Sequence, residues 1–142
     1  MLVARNRPAA FEPDVMMKSP VPPNPPAAVP PLVAVYVEAT NSFDLERLVA
    51  TFADDALVND QLRDYWGKPA IREWAKHDII GESLTMNVTK VINHYGNFIA
   101  TANVDGNYDK RGLPDPLVLA FYFTPQSGLI VQLIILRNRH DI

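Results

Sequence analysis

Cysteine is absent from the 142-residue sequence. That excludes disulfides, thiolate nucleophiles and cysteine-based metal sites. There are only three histidines, and no two of them have metal-ligand spacing, so neither a metal nor another cofactor is expected. No glycine-rich loop is present to cradle a phosphate, and there is no Gly-x-Ser-x-Gly elbow for a serine nucleophile. A basic field is missing too. The formal net charge is −3, so nucleic acid is not an expected partner. No run approaches the roughly 18 apolar residues of a membrane span, and no apolar stretch follows Arg5 and Arg7 as it would in a secretory leader. The expectation is a soluble cytoplasmic protein without a membrane partner.

What is present begins with proline. Nine of the thirteen prolines fall in residues 1–31. Val21-Pro22-Pro23-Asn24-Pro25-Pro26 cannot donate the backbone hydrogen bonds of a helix or a central strand, so residues 1–29 read as an extended arm. Met16 or Met17 is an alternative start to Met1. The arm is expected to lie along a folded surface, its own domain's or a partner subunit's.

Residues 30–142 read as one domain. Pro30-Pro31 suits a helix start. Leu32, Val35, Tyr36 and Ala39 then repeat at helical spacing. Asp44 is a good N-cap for a second helix carrying Leu45, Leu48, Val49 and Phe52. Asp54-Asp55 reads as a turn and Ala56–Gln61 as a strand, followed by a loop. Gly67 and Pro69 open a third helix with Ile71, Trp74 and Ala75 on one face, and Gly81 reads as its left-handed C-cap. From Ser83 the period changes to two. Strands are expected over 84–89, 98–105, 117–124 and 129–137, with turns at Tyr95-Gly96-Asn97 and Pro125–Gly128. The last strand is apolar on both faces, so both faces should be covered, one by helices and the other by a second subunit. Helices first and strands after give an α+β class. The expected architecture is three N-terminal helices packed in the concave face of a strongly curved antiparallel sheet.

This order resembles the nuclear transport factor 2-like superfamily, in its branch of SnoaL-like polyketide cyclases and ketosteroid isomerases. The resemblance covers about residues 31–140. It is carried by Tyr36, by Phe52-Ala53-Asp54-Asp55-Ala56, and by Gly67-Lys68-Pro69-Ala70-Ile71-Arg72-Glu73-Trp74. Gly106-Asn107-Tyr108 and Phe121-Tyr122-Phe123 also fit. The resemblance implies a cone-shaped fold around a ligand cavity. Tyr36 and Asp60 fall where ketosteroid isomerase has a helix tyrosine and the strand aspartate that abstracts a proton alpha to a ketone. The isomerase's second oxyanion donor, a protonated aspartic acid, is matched here by Leu119, which cannot donate.

Asp60 is the candidate base. At the end of a strand, facing an apolar cavity, it would lose hydration and its pKa would rise. Tyr36 is the candidate hydrogen-bond donor to a carbonyl oxygen. Val58, Trp74, His77, Leu119, Phe121 and Leu133 are expected to surround the substrate, and Arg137 to sit at the cavity mouth, where it could hold a carboxylate or enolate. The functional expectation is cofactor-free proton transfer of isomerase, cyclase or dehydratase type on a small hydrophobic carbonyl compound. The rival is a non-catalytic module that binds a small ligand or only dimerises. A homodimer through the outer face of the sheet is expected in either case, with Ile130, Ile134 and Leu136 around Gln132.

Overall fold

The structure, a computed structural model, describes residues 29–138. The proline-rich arm lies outside the described residues except for Val29. Helix α1 spans Pro31–Asn41, with proline in its first turn as the sequence implies. Its buried face is Val33, Tyr36, Ala39 and Thr40, so the stripe is rotated from the one read through Leu32 and Val35. Every residue from Leu32 to Val37 is apolar, so spacing alone could not fix the inward face. Helix α2 is one short turn, Leu45–Val49, capped by the Asp44 carboxylate, which accepts from Arg47 N–H at 3.1 Å.

Phe52, read as the end of that helix, instead begins strand β1, Phe52–Asp60. Asp54 and Asp55 are exposed and fall between Phe52 and Leu57, where the pairing with the neighbouring strand shifts register. The acidic pair therefore forms an irregularity within a strand, not a turn between elements. The segment read as a loop is strand β2, Arg63–Trp66, in a hairpin with β1. Gln61 and Leu62 link the two strands with φ of 53° and 71°. That conformation usually calls for glycine or asparagine, and neither is present to announce the turn.

Helix α3, Gly67–Trp74, continues directly into a π-helical turn, Ala75–Ile80. Gly81 has φ −62° and so is not a left-handed cap. Glycine is needed there for space, because a Cβ would lie 2.7 Å from the His77 carbonyl oxygen. The wider turn bonds Gly81 N–H to Lys76 O at 2.8 Å and crowds the last carbonyls together.

Strands β3 (Thr85–His94), β4 (Asn97–Asp105), β5 (Leu117–Gln126) and β6 (Leu129–Arg137) complete one six-stranded sheet, in the order β2-β1-β6-β5-β4-β3. All neighbours run antiparallel except β1 and β6, which are parallel. The sheet is thus mixed and open, a correction to the wholly antiparallel, strongly curled one expected. The parallel pair is a long-range pairing that no local pattern announces. The core lies between the helices and one face of this sheet. Tyr36, Phe52, Phe121, Phe123 and Trp74 form an aromatic centre, with Tyr36 edge to face on the three phenylalanines, Trp74 edge to face on Phe52, and Phe121 stacked on Phe123. Ile130, expected on the outer face, is fully buried in this core. The register shift between Thr124 and Pro125 inserts Val131 as an unpaired residue and turns Ile130 inward. No helix among the described residues is long and apolar enough to cross a membrane.

Candidate functional site

Alternation along the sheet decides which side chains meet. Val58 pairs with Leu133 and Asp60 with Ile135. Ile135 in turn faces Phe121, and Arg137 faces Leu119. Directly opposed residues share a face, so all seven point to the helical side of the sheet. Val58 and Leu133 are fully buried deep in the core. Further along the strands the helices no longer fill the space. There Asp60, Leu119, Phe121, Ile135 and Arg137 line a cavity of about 310 Å³. That is near the lower end of small-molecule sites, roughly 300–1,000 Å³.

The remaining walls come from segments that carry no periodic signal. Asp78 and Ile79 arrive on the π-helical turn, Glu82 and Leu84 on the link to β3, and Tyr108 and Leu113 on the loop between β4 and β5. Arg63 reaches the rim from β2. Helical periodicity breaks at the π-helical turn, so the sequence gives little warning that Asp78 faces a cavity while His77 does not. His77, expected near the substrate, is exposed and lies 3.4 Å from Glu73 on the outer side of the helix.

The Asp60 carboxylate is held from both sides. Trp74 Nε1 donates to Oδ2 at 3.0 Å, and Gln61 Nε2 donates to Oδ1 at 3.3 Å. The Gln61 backbone N–H is itself tied to Ile135 O at 3.0 Å, which fixes the strand end. Arg63, the nearest arginine in sequence, pairs with Asp78 at 3.8 Å instead. Burial pushes the Asp60 carboxyl above the usual aspartate range. The bonds from Trp74 and Gln61 and the charge of Arg63 oppose that rise, and the Asp78 charge adds to it. Trp74 is therefore not a cavity wall: it is almost fully buried behind Asp60 and acts on it through its indole N–H.

Tyr36 lies beneath the site. Its ring packs against Phe121, a wall of the cavity, with centroids 6.2 Å apart, and against Phe123 at 5.2 Å. Burial, with the Asp60 charge second, raises the phenol well above its ordinary value, so the hydroxyl keeps its proton. Only 1% of the residue is exposed, and it is not among the residues lining the cavity. The site thus combines one desolvated carboxylate, a buried phenol below it, an apolar interior and a charged rim.

No protein-family model matches the chain, and no curated protein sequence does. Solved structures match it well. A protein from Sinorhizobium meliloti, provisionally named a polyketide cyclase, aligns with TM-score 0.69 and 28% identity over 76% of this chain and 95% of that one. A Catenulispora acidiphila protein with a ketosteroid isomerase-like fold, in complex with trimethylamine, aligns with TM-score 0.65 and 19% identity over 79% and 88%. A Mycobacterium tuberculosis protein in complex with estradiol-17β-hemisuccinate aligns with TM-score 0.62 and 14% identity over 76% and 92%. The chain has the fold of the nuclear transport factor 2-like superfamily, the fold shared by these polyketide cyclase-named and ketosteroid isomerase-like proteins. The proteins it is similar to include one named for polyketide cyclisation and one holding a steroid ester.

Proposed function

We propose that the chain binds a small hydrophobic carbonyl compound in the cavity at Asp60 and moves a proton on it without a cofactor. The observation that carries this reading is the state of Asp60: a carboxylate turned into an apolar cavity, positioned by Trp74 and Gln61 and in no salt bridge among the described residues. Such a group is desolvated and poised as a base, as proton transfer near neutrality requires. Asp60 takes the proton from the carbon alpha to the carbonyl and returns it to the resulting enolate. Tyr36, packed beneath the cavity wall at Phe121, is the proposed donor for the enolate oxygen. Leu119 stands where a second donor would be, which favours substrates whose enolates are already stabilised by conjugation.

Binding of ligands by proteins of this fold, a steroid ester in one case, agrees with a small-molecule role. A specific observation favours the second reading, a binding module without chemistry: the Tyr36 ring is packed among Phe52, Phe121 and Phe123, and Tyr36 does not line the cavity. The two readings separate on exchange of the alpha protons of 2-tetralone for deuterium, followed by NMR. The first expects catalysed exchange that Asp60→Asn lowers by about 100-fold, the usual scale for a positioned base. The second expects binding without exchange.

The protein is further proposed to act as a homodimer through the outer face of the sheet. Ile99, Tyr122 and Ile134 lie abreast on β4, β5 and β6, with Tyr122 40% exposed. A row of this kind across three strands is suited to a second copy.

A further inference from the structure

Arginines among the described residues are paired with acids in every case but one. Arg47 meets Glu38, Arg63 meets Asp78, Arg72 meets Glu46 and Arg111 meets Asp109. Arg137 has no acid within 4.0 Å among the described residues, although Asp60 and Glu82 line the same cavity. Arg137 is an exposed residue at the end of β6, but its backbone is held in the sheet. Its backbone is paired with Leu119 in β5, and the next residue, Asn138, donates its N–H to Val118 O at 2.9 Å. The strand thus brings to the cavity lining, with Leu117 and Leu119, a guanidinium that has no acid partner among the described residues. A ligand lying over these leucines would shield a charge-assisted bond to Arg137 from water.

The spacing of the two backbone positions follows from the sheet. Asp60 is level with Ile135, and Arg137 is two residues further along β6. With about 3.3 Å per residue and about 4.8 Å between strands, the two Cα atoms are about 8 Å apart on one face. One small molecule spans that gap with an anionic group at one end and a reacting centre at the other. The other rim charges do not contribute a second free cation, since Arg63 is engaged by Asp78. Glu82, also on the lining, repels an anion, so Arg137 is the place for it.

We propose that the ligand is a hydrophobic keto acid, its carboxylate on the Arg137 guanidinium and its carbonyl towards Asp60. This rests on the cavity being a small-molecule site, as proposed above. It adds that specificity lies in a charge, not in apolar shape alone.

The test compares two probes of one shape, 2-naphthoate and its neutral amide 2-naphthamide, by isothermal titration of the full chain near neutral pH. The expected result is that the acid binds about tenfold or more tightly than the amide. Arg137→Gln should remove that preference by weakening the acid alone, and Arg137→Lys should restore part of it. Lys90→Gln, far from the cavity, should change neither. Equal affinity for acid and amide, or an equal loss of both in Arg137→Gln, overturns the anion role and leaves the cavity reading standing. Failure of both probes to bind at millimolar concentration removes the cavity reading, and this inference with it.

Discussion

Asp60 is where stability and chemistry oppose each other. Its folded-state pKa is raised, so the native protein holds this proton more tightly than the unfolded chain does. Between the ordinary aspartate value of about 3.9 and the raised one, the native state binds more protons, so stability falls as pH rises through that window. Below the window the group is protonated in both states and costs nothing. Above it the cost of the buried charge is constant. Asp60→Asn removes that cost, so the variant should gain in melting temperature over the wild type as pH is raised from about 3.5 to neutrality. A melting difference that stays flat across that range would mean that Asp60 is solvated. The comparison must be made against the variant, because Glu46, Asp105 and Asp109, each bonded to a cation, have lowered pKa values and pull the total the other way.

Among the elements, the free edge of β3 shows how the helices are tied to the sheet. The Asn41 side chain at the end of α1 donates to Met86 O at 2.9 Å and accepts from Met86 N–H at 2.7 Å. It takes the place that a seventh strand would have beside Met86. Asn41→Ala leaves both backbone groups without their partner and is expected to cost about 1–3 kcal/mol in urea unfolding. Met86 itself packs into the core, so the same change should loosen the seam between α1 and β3. An unaltered unfolding midpoint would show that water replaces the side chain without loss.

The elements were unequally legible. Strand β4 was readable from its two-residue period, and β5 and β6 as apolar runs between turn signals. Alternation along β6 put Arg137 on the face of Leu133 and Ile135, but the bulge at Val131 hid the inward turn of Ile130. Hairpin β1–β2 was not readable, since its turn is made by Gln61 and Leu62 where glycine or asparagine is the usual sign. The π-helical turn hid Asp78 and Ile79 for a related reason: five-residue spacing matches neither template. The bond from Trp74 to Asp60 joins residues 14 apart in sequence, and only the packing of α3 against β1 brings them together.

For the whole molecule, the two faces of one sheet have different work. The inner face builds the core and the cavity. The outer face carries Ile99, Tyr122, Ile134 and Leu136 around Gln132, only partly buried in a single chain. If two copies join there, Ile134→Asp should convert a dimer to a folded monomer in sedimentation at micromolar concentration, since an unpaired charge at an interface core is strongly unfavourable. A wild-type protein already monomeric under those conditions would remove the dimer from the account. The cavity lies on the other side of the sheet, so ligand binding should survive the change.

The central claim is that Asp60 works as a desolvated base on a carbonyl compound, and the pH profile of 2-tetralone alpha-proton exchange tests it most directly. With a raised pKa, the catalysed rate should climb with pH through a midpoint above the ordinary aspartate value and then level off. Asp60→Asn should abolish that sigmoid and leave only the background exchange. A wild-type profile that follows the background at every pH, or a sigmoid that survives in Asp60→Asn, would contradict the account.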